Sequence, residues 1–151
     1  MQELDVGTNM PPLTVIIAED DLLIADMAEL LLTDAGYNVC GIARTVAEAL
    51  WLCENRHPDL ALIDLNLADG DEGRDIVAQL GPARPGVLYA SGSEAITALT
   101  AADGEAAIRK PYLIADLLRS LELVSEIVAT GASSPPFPRG FRRLQPPQRV
   151  A

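Results

Sequence analysis

Five side chains with chemical potential each stand directly after a short apolar run. Glu19 and Asp20 end "TVIIAED", Asp64 ends "LALID", Ser91 follows "LYA", and Lys110 follows "AAIR". Carboxylates accept hydrogen bonds, ligate cations or attack as nucleophiles, a hydroxyl can donate, and an ammonium brings a fixed positive charge. If the three carboxylates meet, they repel. At about 4 Å and an effective dielectric near 20, one such pair costs roughly 4 kcal/mol. A hard divalent cation held by oxygens relieves that repulsion, and a crevice with room for water suits Mg2+. Ser91 and Lys110 facing it are the groups needed to hold phosphoryl oxygens as charge develops. Asp64 is then the candidate nucleophile, passing through an aspartyl phosphate.

Whether these residues meet depends on the elements that carry them. "LTVIIA" is a β-branched run of buried-strand length, and "DDLLIADMAELLLTDAG" spaces Leu23, Met27, Leu30 and Leu31 at helical intervals before Gly36 stops the helix. "YNVCGIA" reads as a strand, "TVAEALWLCEN" as a helix opened by a Thr45/Glu48 capping box, and "DLALID" as a third strand. Then follow "GRDIVAQL" (helix), "GVLYAS" (strand), "EAITALTAA" (helix), "EAAIRK" (strand) and "YLIADLLRSLELVSEIVAT" (long helix). Five strands alternating with five helices predict an α/β doubly wound fold with a parallel sheet, because parallel strands need right-handed crossovers. With strand order 2-1-3-4-5, as in flavodoxin-like folds, the first and third strands are neighbours. The acids then share the crevice at the carboxyl ends of the strands, where such sheets bind ligands.

The chain of 151 residues is 49% hydrophobic, with a mean hydropathy of +0.19, enough for one sizeable core. The domain is expected over residues 13–130, with an arm at 1–12 and a disordered Pro/Arg-rich tail at 131–151 that shows no helical or strand period. All 22 acids lie at or before Glu126, against 7 Lys and Arg residues, while Arg139, Arg142, Arg143 and Arg149 lie beyond it. The acidic body argues against nucleic-acid binding, and the tail offers no folded DNA-reading module. Docking of the basic tail on an acidic partner, or on this domain's own acidic surface, stays open beside plain disorder. Cys40 and Cys53 read as reduced core thiols. No signal segment or apolar run of membrane-spanning length appears, so a cytoplasmic location is expected.

Other polar residues have simpler roles. Asp21 reads as a helix-start acid, Asp69, Asp71 and Glu72 as turn acids, His57 as a surface histidine and Trp51 as core or half-exposed packing. "IIAEDD", "LIDLNL", "YASG" and "RKPY", in this order and each after an apolar strand, resemble the receiver domain of bacterial two-component response regulators over about residues 13–129. The resemblance implies a CheY-like fold, with Asp64 phosphorylated and Ser91 and Lys110 on the phosphoryl group. It implies Mg2+ held by Asp20, Asp64 and the backbone carbonyl of Asn66, with Glu19 nearby or acting through water. It also implies a cis Lys110-Pro111 bond.

Three departures accompany the match. Ala68 stands where the family often has proline, the loop to Gly73 is one residue longer than the commonest form, and Ala107 stands where an aromatic usually couples to the Ser/Thr. "YASGS" also resembles a subgroup of single-domain regulators carrying Phe-Ala-Thr-Gly, which act in phosphorelays or stress signalling; here Tyr89 and Ser91 replace the Phe and Thr. The expected function is a stand-alone switch, not an enzyme beyond its own phosphorylation and dephosphorylation. It would be charged by a histidine kinase or histidine phosphotransfer protein. It would switch an unidentified protein partner, or a homodimer, through the face of the fourth helix, fifth strand and fifth helix. Two alternatives stand beside it: a receiver-like binding module that is not phosphorylated, which Ala107 keeps open, and a metal-dependent aspartyl-phosphate phosphatase. The latter usually has a second acid where this chain has Asn66.

Overall fold

The computed structural model describes residues 11–147. Most of the expected N-terminal arm and the last four residues of the expected tail lie outside the described residues. The strands are β1 (Thr14–Ala18), β2 (Asn38–Ala43), β3 (Leu60–Ile63), β4 (Gly86–Ser91), β5 (Ala106–Arg109) and β6 (Phe141–Arg143). The α-helices are α1 (Leu22–Asp34), α2 (Val46–Arg56), α3 (Arg74–Leu80) and α4 (Ile114–Thr130). The sheet runs β2-β1-β3-β4-β5-β6, and every pair is parallel except β5 with β6. The expected order of the first five strands and the doubly wound α/β architecture are therefore present.

Alternation along the strands divides the core into two layers. Ile16, Ile63, Tyr89 and Ala107 pack on one side with residues of α2 and α3. Val15, Ile17, Leu62, Leu88 and Ile108 pack on the other with residues of α1 and α4. Local signals fix the helix ends. Asp21 caps α1, its carboxylate accepting from the N–H groups of Leu23 (3.1 Å) and Ile24 (3.4 Å). Thr45 caps α2 by accepting from the Glu48 N–H, and Glu48 returns to accept from the Arg44 N–H. Trp51 is exposed on α2, with the Arg56 guanidinium 5.4 Å above its ring. Among the described residues no helix is long and apolar enough to cross a membrane.

Two expectations are corrected. "EAITALTAA" forms only a 3-10 turn, Glu94–Ala98, so α4 of the structure is the fifth expected helix. The helical pattern yields because the following loop is recruited elsewhere. The Asp103 carboxylate accepts from the Thr100 N–H and pairs with Arg74, while the Asp103 carbonyl accepts from the Tyr89 hydroxyl. The second correction concerns residues 131–147, read from sequence as part of a disordered tail. They turn back along the sheet and add β6 antiparallel to β5. A three-residue strand carries too little periodicity to be seen in a sequence, and here one buried leucine and the free edge of β5 supply what local pattern lacks.

Candidate functional site

Backbone hydrogen bonds extend the ladder past the strand ends and bring the five residues to one border. The Glu19 N–H donates to the Ala43 carbonyl, the Asp64 N–H to the Ala18 carbonyl (both 2.9 Å), and the Lys110 N–H to the Ser91 carbonyl (3.0 Å). Lys110 Nζ lies 2.8 Å from Glu19 Oε1 and 2.8 Å from Asp64 Oδ2. One ammonium thus bridges two carboxylates contributed by different strands. Glu19 is 5% exposed, Asp20 is half-buried beside it, and the Ser91 side chain is buried, its Oγ accepting from the Ser93 N–H. The Lys110-Pro111 peptide is cis.

The loop after β3 is built around Asp64. The Asn66 N–H donates to Asp64 Oδ1 (3.0 Å), orienting the carboxylate. Gly73 is required by close approach, since a Cβ there would stand 2.1 Å from the Asp64 carbonyl oxygen. Asp71, expected as a solvated turn acid, is half-buried instead. Its carboxylate accepts from the Val46 N–H (2.9 Å) and its carbonyl from the Leu67 N–H, tying the loop to the start of α2. Asp69 is exposed with positive φ, as turn acids tolerate.

The electrostatics of the bridge are unequal. Burial is the largest influence on Glu19 and raises its pKa, assisted by the Asp64 charge; hydrogen bonds from Lys110 and the Asp21 N–H oppose it without cancelling it. For Lys110 burial pulls the pKa down, but the hydrogen bonds and charges of Asp64 and Glu19 outweigh burial and leave it raised. Two carboxylates thus share one ammonium in the crevice. Tyr112, which sequence analysis did not single out, lines the same crevice; burial raises its phenol against the opposing charge of Lys110. Its position in "RKPY", two residues beyond the lysine, was the available signal.

Among the described residues no group of three or more His, Cys, Asp or Glu side chains is arranged to hold a metal ion. The donor chemistry nevertheless fits a hard cation: the available ligands are oxygens, and the Glu19 and Asp64 carboxylates converge on a single ammonium. His57 is exposed at the far end of α2, whose C-cap it forms, and takes no part in the site. Cys53 is buried and Cys40 half-buried, both as free thiols, with burial pushing Cys53 up to about 11.

Known proteins share this fold and sequence pattern. The family model described as the response regulator receiver domain matches residues 15–122. The chain is 45% identical over 67 residues to the phyllosphere-induced regulator PhyR of Methylorubrum extorquens, covering 44% of this chain and 25% of that protein. It is 35% identical over 117 residues to the transcriptional regulatory protein PdtaR of Mycobacterium tuberculosis, covering 74% and 56%. It thus spans only about a quarter to a half of the length of these relatives. Among solved structures, a CheY-like receiver domain protein from Methanospirillum hungatei superposes with a TM-score of 0.67 at 29% identity, covering 78% of this chain and 98% of that one. The response regulator PhyR from Brucella abortus gives 0.61 at 28%, covering 80% and 53%. Matched across most of its length by the family model, the chain belongs to the response regulator receiver domains of two-component signalling.

Proposed function

We propose that this chain is a phosphorylatable switch in which Asp64 accepts a phosphoryl group from a phosphohistidine on a histidine kinase or histidine phosphotransfer protein. The observation that carries the reading is the Lys110 bridge, 2.8 Å to Asp64 and 2.8 Å to Glu19. A carboxylate oxygen of Asp64 attacks phosphorus, the P–N bond breaks and the imidazole leaves, giving an acyl phosphate that water later hydrolyses. Lys110 exchanges its ion pair with the carboxylate for one with the phosphoryl oxygens. Ser91 donates its hydroxyl to another of those oxygens. Asp20, Asp64 and the Asn66 carbonyl would hold Mg2+, with Glu19 nearby or acting through water. The cation supplies charge neutralisation for the in-line transfer.

Docking of the phosphodonor is supported by α1, whose start adjoins the crevice. Leu23, Met27 and Leu30 stand exposed along one stripe, a pattern that packs on a partner helix. A solved relative is described as the anti-anti-sigma factor PhyR from Bartonella quintana. We take the output here also to be a change of protein partner, in the cytoplasm.

The test is mass measurement after incubation with a small phosphodonor, with and without Mg2+, for wild type and Asp64→Asn. The expected result is a Mg2+-dependent, hydroxylamine-labile gain of one phosphoryl group that the variant lacks completely. No gain in wild type, with a histidine kinase also failing as donor, would leave the chain as a receiver-like binding module.

A further inference from the structure

The segment that follows α4 does more than trail from it. It folds back along the helix, where the Arg119 guanidinium donates to the carbonyls of Ser134 (2.7 Å) and Pro136 (3.0 Å), turns at Gly140 and runs up the free edge of β5. Gly140 has φ +81°, a conformation that favours glycine. The Arg109 N–H donates to the Gly140 carbonyl (3.2 Å), the Leu144 N–H to the Glu105 carbonyl (3.0 Å) and the Ala101 N–H to the Gln145 carbonyl (2.8 Å).

Side chains along this strand alternate between two receptacles. Arg142 and Leu144 lie on one face. Leu144 is 3% exposed in the cluster of Ile96, Leu99 and Ala107, and the Arg142 guanidinium hydrogen-bonds to the Ile96 carbonyl. Phe141 packs toward the α4 layer on the opposite face, stacked on Phe137, and Arg143 donates to the Gly131 carbonyl (2.7 Å). Two features leave the neighbourhood open enough to receive these groups. Ala107 brings no ring, and the chain at 94–98 makes a 3-10 turn in place of a full helix. A cleft of about 280 Å3 bordered by Ile96, Thr97, Ala107, Arg109 and Arg142 remains beside the strand.

We propose that the outer edge of β5 is a strand-binding site for a short extended segment offering an arginine and, two residues on, a leucine, and that residues 140–145 of this chain are its resident occupant. The matching partner is a protein that presents an extended segment of the same pattern, aromatic-Arg-x-Leu, and competes with residues 140–145. Backbone pairing with β5 supplies affinity, while the leucine receptacle and the Ile96 carbonyl supply selectivity. Displacement is feasible because the occupant is a three-residue strand followed by one buried leucine and joined to α4 by an exposed connection rich in proline. The site does not depend on Asp64 accepting a phosphoryl group.

The experiment titrates a fluorescein-labelled peptide of residues 138–147 with the full-length chain, as wild type and as Leu144→Asp, reading anisotropy. Leu144→Asp vacates the edge, so it binds the peptide at least ten-fold more tightly than wild type, and the same peptide with aspartate at its leucine position does not bind. Far-UV circular dichroism establishes that the variant is folded. Gly140→Val, which opposes the positive φ without touching the leucine receptacle, provides a second emptied site with the same expected gain. Equal binding by wild type and the folded variants would overturn the proposal. So would unfolding of both variants, which would make β6 an inseparable part of the core. A wild-type dimer in sedimentation that exchanges β6 between chains would assign the site to a second copy and overturn residence within one chain.

Discussion

The crevice at the strand ends and the outer edge of β5 meet at Arg109 and Lys110, yet they are held by opposite physics. In the crevice two carboxylates share one ammonium, and burial leaves Glu19 with a raised pKa even inside its ion pair. At the edge the groups are complementary: strand N–H to carbonyl, leucine into an apolar receptacle, guanidinium onto the Ile96 carbonyl. The first place stores electrostatic cost that a cation can relieve; at the second no carboxylates crowd together, and the Arg142 and Arg143 guanidiniums rest on backbone carbonyls. Charge is therefore the lever at the crevice, whereas backbone pairing and one buried leucine hold the edge.

Mutation should separate the two. Leu144→Ala removes a buried side chain whose neighbours Leu99 and Ile96 are fixed by their own packing, so it is expected to cost about 2–4 kcal/mol in urea unfolding. Phosphoryl uptake at Asp64 should persist. Asp64→Asn is the reverse case, with uptake lost and stability unchanged or raised, because one of the repelling carboxylates becomes neutral. If Leu144→Ala also abolished uptake, the two regions would form one cooperative unit and the contrast would fail.

A smaller effect follows from Glu19. Its pKa in the fold lies above the ordinary value of 4.5, so the folded chain keeps this proton to higher pH than the unfolded chain. The stability it contributes is fully present below pH 4.5 and is lost as pH rises through the raised value. Glu19→Gln removes that dependence. The variant should gain on wild type, in Tm, as pH increases from 4 toward 7, and added Mg2+ should stabilise wild type more than the variant. A difference in Tm that stays flat with pH would mean that Glu19 ionises without penalty.

The crevice was legible in the sequence because each of its residues follows an apolar run, and the ends of such runs converge once strand order is known. Glu19, Asp64, Ser91 and Lys110 needed only the rule that parallel strands deliver their termini to one border. Asp71 was misjudged because its partner, the Val46 N–H, comes from a different connection 25 residues away. The edge was illegible for a related reason. Leu144 stands alone among prolines and arginines, and its burial depends on Ala107 being small and on residues 94–98 failing to form a full helix. Each of those facts is visible in sequence only as an absence of something usual. "EAITALTAA" has helical spacing, yet Asp103 binds Tyr89, Arg74 and Thr100, and those tertiary contacts override propensity.

The smallest expected effect tests whether the segment after α4 docks as a unit. Arg119 is partly exposed, so its two hydrogen bonds to the Ser134 and Pro136 carbonyls should be worth only about 0.5–1.5 kcal/mol, and its exposed pairing with Glu122 little more. Arg119→Ala alone should lower stability by that amount. In the Leu144→Ala background the segment is already loosened, so removing the guanidinium should cost almost nothing further. The double-mutant cycle would then show a coupling close to the single-variant cost, although Arg119 and Leu144 contact different parts of the segment. Additive losses would mean that residues 134–136 hold to α4 independently of β6. The edge would then be two separate attachments, and release of the strand would leave its connection in place.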